Sequence, residues 1–196
     1  PDLSHTPLAN KEVNFVMEGR PRVVDGDTLV FEETSGQKER VRLLGIDAPE
    51  SKQMCTNQNR KEYACGIESK AFLETIIGKD PVQCLAAKRD QYSRVLGVCF
   101  DERTGKDLNE AMVASGEAVA YVQFSKAYAG DEAQAMQDHR GLWQGQFQKP
   151  WEYRKMKRNA PKSTVKAPTK YVVSDNKKVK EAKAEFELPE EFLDAD

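Results

Sequence analysis

Soft and borderline metal ligands are scarce in this sequence of 196 residues: it has two histidines, His5 and His139, and no C-x-x-C pair among its four cysteines. Zinc sites are usually assembled from close pairs of such ligands, so a structural zinc site is excluded as the organising feature. No apolar run approaches the roughly eighteen residues of a membrane span. A basic surplus is also missing, because the formal net charge is -2. Bulk charge therefore cannot recruit nucleic acid, and any phosphate recognition must rest on a few placed cations. The first residues are Pro1-Asp2-Leu3, without an initiator methionine. This reads as a processed or trimmed N-terminus from which any signal peptide is already gone.

What is present is enough for one ordinary domain with an appendage. Hydrophobic residues make up 39% of the chain and charged residues 32%. Residues 1–19 read as a loose N-terminal arm. From residue 154 the composition changes: residues 154–170 hold seven Lys or Arg and no acid, whereas residues 181–196 hold seven Asp or Glu and one Lys. This segment reads as a disordered, charge-segregated tail. It is either a solubilising appendage, a tether for nucleic acid, or a docking or self-masking segment. Residues 1–153 carry 19 basic and 24 acidic residues, so the expected folded part is acidic.

Between arm and tail, strand signals come first. Asp25-Gly26-Asp27 is a turn, and Thr28–Phe31 and Glu39–Ile46 are strands around Ser35-Gly36. With the hairpin axis near Gly36, Asp27 lies opposite roughly Gly45. Asp47 then follows about 7 Å further along. Two carboxylates distant in sequence thus reach the same open end. The stretch Gly66–Gly78 has helical apolar spacing, and Val82–Phe100 forms a second hairpin. Asp107 N-caps a short helix to Ser115, Ala118–Phe124 is extended, and Asp131–Trp143 is a third helix. The order predicts an α+β, mainly β, domain: a small closed barrel with helices packed on it.

Cysteine count alone leaves two readings, a pair of disulfides in an oxidising compartment or four reduced core thiols. The second hairpin favours the first. A register that opposes Cys84 and Cys99 also opposes Lys88 with Val95 and Arg89 with Arg94, leaving Asp90–Ser93 as a loop of common length. Opposed residues on neighbouring strands are close enough to be bridged. Cys55 and Cys65 then remain as the other pair.

The chemistry concentrates in Arg42-Leu43-Leu44-Gly45-Ile46-Asp47-Ala48-Pro49-Glu50. Pro49 stiffens a loop that holds Asp47 and Glu50, and Asp27 joins them across the hairpin. Three converging carboxylates repel one another unless a cation intervenes. Oxygen donors without His or Cys suit Ca²⁺, Mg²⁺ or Mn²⁺. Arg42 and Arg94 add guanidinium forks matched to a phosphate. The alternative is that these are ordinary turn and strand-end carboxylates facing water.

Val24-Asp25-Gly26-Asp27-Thr28, the Arg42–Glu50 block, Asp90-Gln91-Tyr92-Ser93-Arg94, Leu108–Val113 with Gly116, and Arg140-Gly141-Leu142-Trp143 together resemble the staphylococcal nuclease-like (thermonuclease) family. The resemblance runs in order over about residues 20–153. It implies an OB-fold-like five-stranded barrel with three helices, and Ca²⁺-dependent endonucleolytic cleavage of DNA and RNA with little sequence specificity. It further implies that Asp27, Asp47 and the Ala48 carbonyl hold the metal, that Glu50 activates water, and that Arg42 and Arg94 bind the phosphate. Ala48 stands where the family often has Thr, and Ser93 where Gly is common. Tyr92 is either a base or sugar contact or a turn aromatic packed on the barrel. Tyr121 and Phe124 are either a stacking wall for a base or barrel core. The cysteine placement and the Pro150–Arg154 segment resemble the secreted bacterial branch, so the expected setting is secreted or periplasmic and the expected state a monomer. The competing reading is a catalytically inactive OB-fold module that binds single-stranded nucleic acid or a protein partner.

Overall fold

The computed structural model describes residues 1–160; the expectations for the tail beyond residue 160 lie outside the described residues. The central element is a six-stranded sheet in the order β1-β8-β9-β4-β3-β2. Its strands are β1 (Phe15–Gly19), β2 (Arg22–Asp25), β3 (Thr28–Glu32), β4 (Lys38–Leu43), β8 (Val82–Arg89) and β9 (Val95–Asp101). β1 at one edge contacts β3, four places along that order, so the sheet curls on itself. Two small two-stranded sheets complete the strand inventory. β5 (Ile46–Asp47) pairs with β10 (Val119–Ala120), and β6 (Cys55–Thr56) pairs with β7 (Glu62–Tyr63). The α-helices are α1 (Cys65–Ile77), α2 (Leu108–Ala114), α3 (Ala129–Gln137) and α4 (Pro150–Asn159).

The mixed, mainly β expectation holds; the main sheet has six strands where the family resemblance implied five, and the described residues form four α-helices where it implied three. The extra strand comes from the supposed loose arm: Phe15 to Gly19 pairs antiparallel with β8. Upstream of it Leu8 and Thr6 are buried, so the arm packs on the domain. The extra helix is α4. Pro150 occupies its first turn, where a missing N–H costs nothing. Residues 154–159, which charge alone had assigned to the tail, are therefore helical.

Local patterning explains the elements. β4 alternates, with Val41 and Leu43 turned into the core and Arg42 onto the other face. α1 buries Cys65, Ser69, Leu73 and Ile77, one every fourth residue. Asp107 caps α2 by accepting from the N–H groups of Asn109 and Glu110. The third helix is shorter than expected. It ends at Gln137, and His139 and Gly141 adopt positive φ before a 3₁₀ turn over Gly141–Gln144. Ala118–Phe124 is extended only at Val119–Ala120, after which the chain turns.

Both cysteine pairs are disulfides, Cys55–Cys65 and Cys84–Cys99, and no cysteine among the described residues is free. Cys84 and Cys99 oppose each other across β8 and β9 as the hairpin register requires. Beyond Ala86 the register shifts by one residue, so Arg89 pairs with Val95 and Lys88 with Leu96, not Arg89 with Arg94. A β-bulge at that point leaves Asp90 and Arg94 to close the loop, the Asp90 N–H donating to the Arg94 carbonyl at 2.8 Å.

Candidate active site

Asp27 is the second residue of the β2–β3 turn, and the Leu43 N–H donates to its carbonyl at 2.8 Å. Asp27 is therefore opposite Leu43, two residues short of the expected Gly45. The chain makes up that difference with a turn. Gly45 sits at φ +82°, and a Cβ there would lie 2.7 Å from Pro7 Cγ. A residue with a side chain would be both strained and blocked. The turn sends β5 back so that Asp47 meets Arg42, on the strand the chain has just left.

Arg42 then bridges the two carboxylates. Its Nη1 pairs with Asp27, and its Nη2 donates to Asp47 Oδ1 at 2.7 Å. Asp27 also accepts from the Ala48 N–H at 2.7 Å and from the Thr28 hydroxyl at 3.1 Å. Asp47 is fully buried and Asp27 nearly so. Burial pushes the Arg42 pKa down, against the pull of Asp47 in the other direction. The site is thus a charged core whose parts hold one another out of water.

Glu50 sits at the rim, its side chain 42% exposed. Its backbone is tightly held. Gln53, itself buried, accepts from the Glu50 N–H through its side chain at 3.3 Å, and its N–H donates to the Glu50 carbonyl at 2.7 Å. α1 presses against the same carbonyl: a Cβ on Gly66 would lie 1.9 Å from Glu50 O. Only glycine lets the helix approach so closely.

Arg94 arrives by a route absent from hairpin reasoning. β4 and β9 pair in parallel, with Arg42 beside Leu96 and Val41 beside Val95. This sets the second hairpin's loop against the first hairpin's open end. Asp90 orients Arg94, accepting from its Nε at 2.8 Å and its backbone N–H at 3.0 Å. Burial raises the Asp90 pKa, but the Arg94 contacts outweigh it and hold that carboxyl below its usual range. Asp27, Arg42, Glu50 and Arg94 all line one cleft of about 870 Å³, with Asp47 buried beneath it.

Ser93, between Asp90 and Arg94, has φ +62°. A left-handed non-glycine residue is disfavoured by about 1–2 kcal/mol. Ser93→Gly should therefore stabilise the fold by roughly 0.5–1 kcal/mol, after the entropy that glycine loses on folding. A urea midpoint unchanged or lowered would contradict this account of the loop.

The aromatic residues divide. Tyr92 is 71% exposed and lies under the Arg94 guanidinium, so it is not packed on the barrel. Phe124 is 56% exposed and stacks with half-buried Tyr121 at 5.7 Å, while Tyr121 meets Trp151 at 5.4 Å. Tyr92, Tyr121 and Phe124 line the cleft and are not barrel core, and Trp151 backs Tyr121 from outside the lining.

One participant escaped the sequence reading. Arg154 of α4 donates to Asp47 Oδ1 at 2.9 Å, to Asp47 Oδ2 at 2.8 Å and to Glu50 Oε1 at 2.9 Å. Burial lowers its pKa, but Asp47 and Glu50 more than reverse this and raise it. The sequence signals were Pro150 as a helix start and the family likeness of the Pro150–Arg154 segment, and the basic run that follows hid the role of Arg154.

Among the described residues, the acidic or histidine cluster with ligand atoms all within 4.8 Å of one another is His5–Asp107–Glu110, not Asp27–Asp47–Glu50. Asp107 is already engaged there, capping α2 and accepting from the Tyr128 hydroxyl at 2.8 Å.

The family model described as staphylococcal nuclease homologue matches residues 40–145. A succinoglycan biosynthesis protein of Rhizobium meliloti is 38% identical over 130 residues, covering 65% of each chain. A probable staphylococcal-like nuclease of Oryza sativa subsp. japonica is 31% identical over 137 residues, 68% of this chain and 34% of that one. A micrococcal nuclease of Shigella flexneri is 31% identical over 151 residues, 71% of this chain and 80% of that one. The chain thus spans less than two thirds of the Rhizobium and rice proteins and most of the Shigella protein.

Proposed function

The chain belongs to the staphylococcal nuclease family, and from that membership we propose that it is an endonuclease hydrolysing phosphodiester bonds of DNA and RNA with the aid of a divalent cation, Ca²⁺. One observation carries the reading. Two carboxylates, Asp27 and Glu50, and two guanidiniums, Arg42 and Arg94, line one cleft that also bears exposed aromatic rings, and a third carboxylate, Asp47, is buried against Arg42. The donor chemistry fits a hard cation, since the cluster offers carboxylate and carbonyl oxygens without imidazole or thiolate. Asp27, Asp47 and the Ala48 carbonyl are the residues we assign to hold it. When bound, such an ion acidifies a ligated water and offsets charge on the phosphate.

The protein's own groups carry the remaining steps. Glu50 accepts a proton from the attacking water while the water oxygen bonds to phosphorus. Arg42 and Arg94 donate to the phosphate oxygens as negative charge builds there, the preorganised kind of stabilisation that does most in a site shielded from water. The bond from phosphorus to the leaving oxygen breaks, with Arg94 placed to stabilise that oxygen until it takes a proton from solvent. Tyr92 and Tyr121 offer faces on which a base can stack. The two disulfides are compatible with an extracellular or periplasmic location, and no described helix is long and apolar enough to cross a membrane. We accordingly read the protein as secreted or periplasmic.

The test is direct. Plasmid DNA and an RNA transcript incubated with the protein should be degraded in CaCl₂ and left intact in EDTA. Intact nucleic acid in both, from a sample shown to be folded, would favour the inactive binding module instead.

A further inference from the structure

We propose that Arg154 is a positioning residue that stands in for the divalent cation: its guanidinium holds Asp47 and Glu50 in the cation-free protein, and a bound ion displaces it. The inference rests on the cation-dependent reading of the same site.

The argument begins with hydrogen-bond capacity. Arg154 reaches both oxygens of Asp47 and the Oε1 of Glu50, all at 2.8–2.9 Å. It makes a forked contact of the strong, charge-assisted kind. The cluster of Asp27, Asp47 and Glu50 carries three negative charges against two positive ones, from Arg42 and Arg154. Its small residual negative charge lets Asp27 and Asp47 stay buried beside the rim carboxylate Glu50. A divalent ion bound to Asp47 would sit against the Arg154 guanidinium. Two cations contending for one buried carboxylate repel, and the looser one leaves.

The surroundings identify Arg154 as the looser one. Arg42 lies within a central strand, bridges two buried carboxylates and is 14% exposed. The Arg154 side chain is 33% exposed and projects from α4, the last helix among the described residues. It can turn to solvent without breaking a strand. The helix itself has other anchors: the Tyr153 hydroxyl donates to the Lys52 carbonyl at 3.1 Å, and Trp151 packs on Tyr121. The spread of the three carboxylates agrees, because their ligand atoms do not form a cluster within 4.8 Å. Glu50 and Asp47 are drawn around a guanidinium, a larger group than a bare ion.

Calcium affinity must then include the cost of evicting Arg154, since only the vacated site is competent. Calcium chloride titrated calorimetrically into the full chain should bind Arg154→Gln about ten-fold more tightly than wild type, as expected when a competing state is removed. Arg154→Lys, which keeps the charge but cannot span both carboxylates, should fall between them. In EDTA, Arg154→Gln should melt below wild type, and saturating calcium should raise its Tm by more than it raises that of wild type. A merely structural residue would lower Tm without tightening calcium. Equal or weaker calcium binding by Arg154→Gln and Arg154→Lys, with wild type binding normally, would overturn the role of Arg154 and leave the cation site standing. Calcium binding by Asp47→Asn at wild-type affinity, or by none of the proteins, would overturn the cation site and the displacement with it.

Discussion

Arg42→Ala is expected to lower the unfolding free energy by about 3–5 kcal/mol, the usual cost of stripping one partner from a buried ion pair. For a domain of this size that is a fall in Tm of roughly 6–20 °C. The physical reason lies in how the two aspartates are placed. Asp47 is fully buried and Asp27 nearly so, and both lean on the one guanidinium. Without it Asp47 still has Arg154, but Asp27 keeps only the Ala48 N–H and the Thr28 hydroxyl. A carboxylate so buried, with no cation beside it, is the costly species. Urea unfolding in EDTA reads the effect. Adding Asp27→Asn to the variant should recover part of the loss, because it removes the stranded charge while retaining an acceptor for Ala48. An Arg42→Ala protein as stable as wild type would show that the aspartates do not depend on this bridge. Arg42→Lys should not rescue it, since an ammonium cannot present two separate donors in the fork that spans both carboxylates.

The second large effect concerns rate and not stability. Glu50→Gln should reduce turnover by about 10²–10⁴-fold, the range for losing a positioned general base. The change is nearly isosteric, and the side chain is 42% exposed, so little packing is at stake. A glutamine oxygen can still accept from Arg154 Nη1, which now bonds to Glu50 Oε1 at 2.9 Å. The main-chain supports from Gln53 and the close approach of Gly66 do not involve the carboxylate. Loss of kcat with an unchanged melting profile is therefore the expected signature. Wild-type kcat at saturating substrate would remove Glu50 from the role of base and direct attention to another acceptor.

The contrast between these two carboxylate partners shows how far local pattern reaches. Alternation in Lys38–Leu43 is enough to put Val41 and Leu43 on one face and Arg42 on the other. The hairpin brings Asp27 near Asp47 even though the true register differs by two residues from the turn-centred one, because Gly45 absorbs the difference. Cys84 and Cys99 meet for the same local reason, an antiparallel ladder joined by a short loop. The bulge beyond Ala86 was not readable. The bulged strand itself has no glycine or proline there, although Gly97 faces Ala86 on the partner strand where the register shifts, and the effect is to hand closure of the loop to Asp90 and Arg94.

By itself the sequence determined the elements whose causes are local: the alternating strands, the Asp107 cap, the paired cysteines, the glycine turns, and the grouping of Asp27, Arg42, Asp47 and Glu50. Tertiary structure alone decided which distant groups share that cleft. The parallel pairing of β4 with β9 brings Arg94 to the cleft that Arg42 lines, and no short connection encodes a parallel pair. The docking of α4 brings Arg154 onto Asp47 across 107 positions of chain. In one dimension Arg154 is the first charge of a basic run and looks solvated. In three dimensions it sits against the least exposed carboxylate of the site, because a buried negative charge selects whichever cation the fold brings within reach.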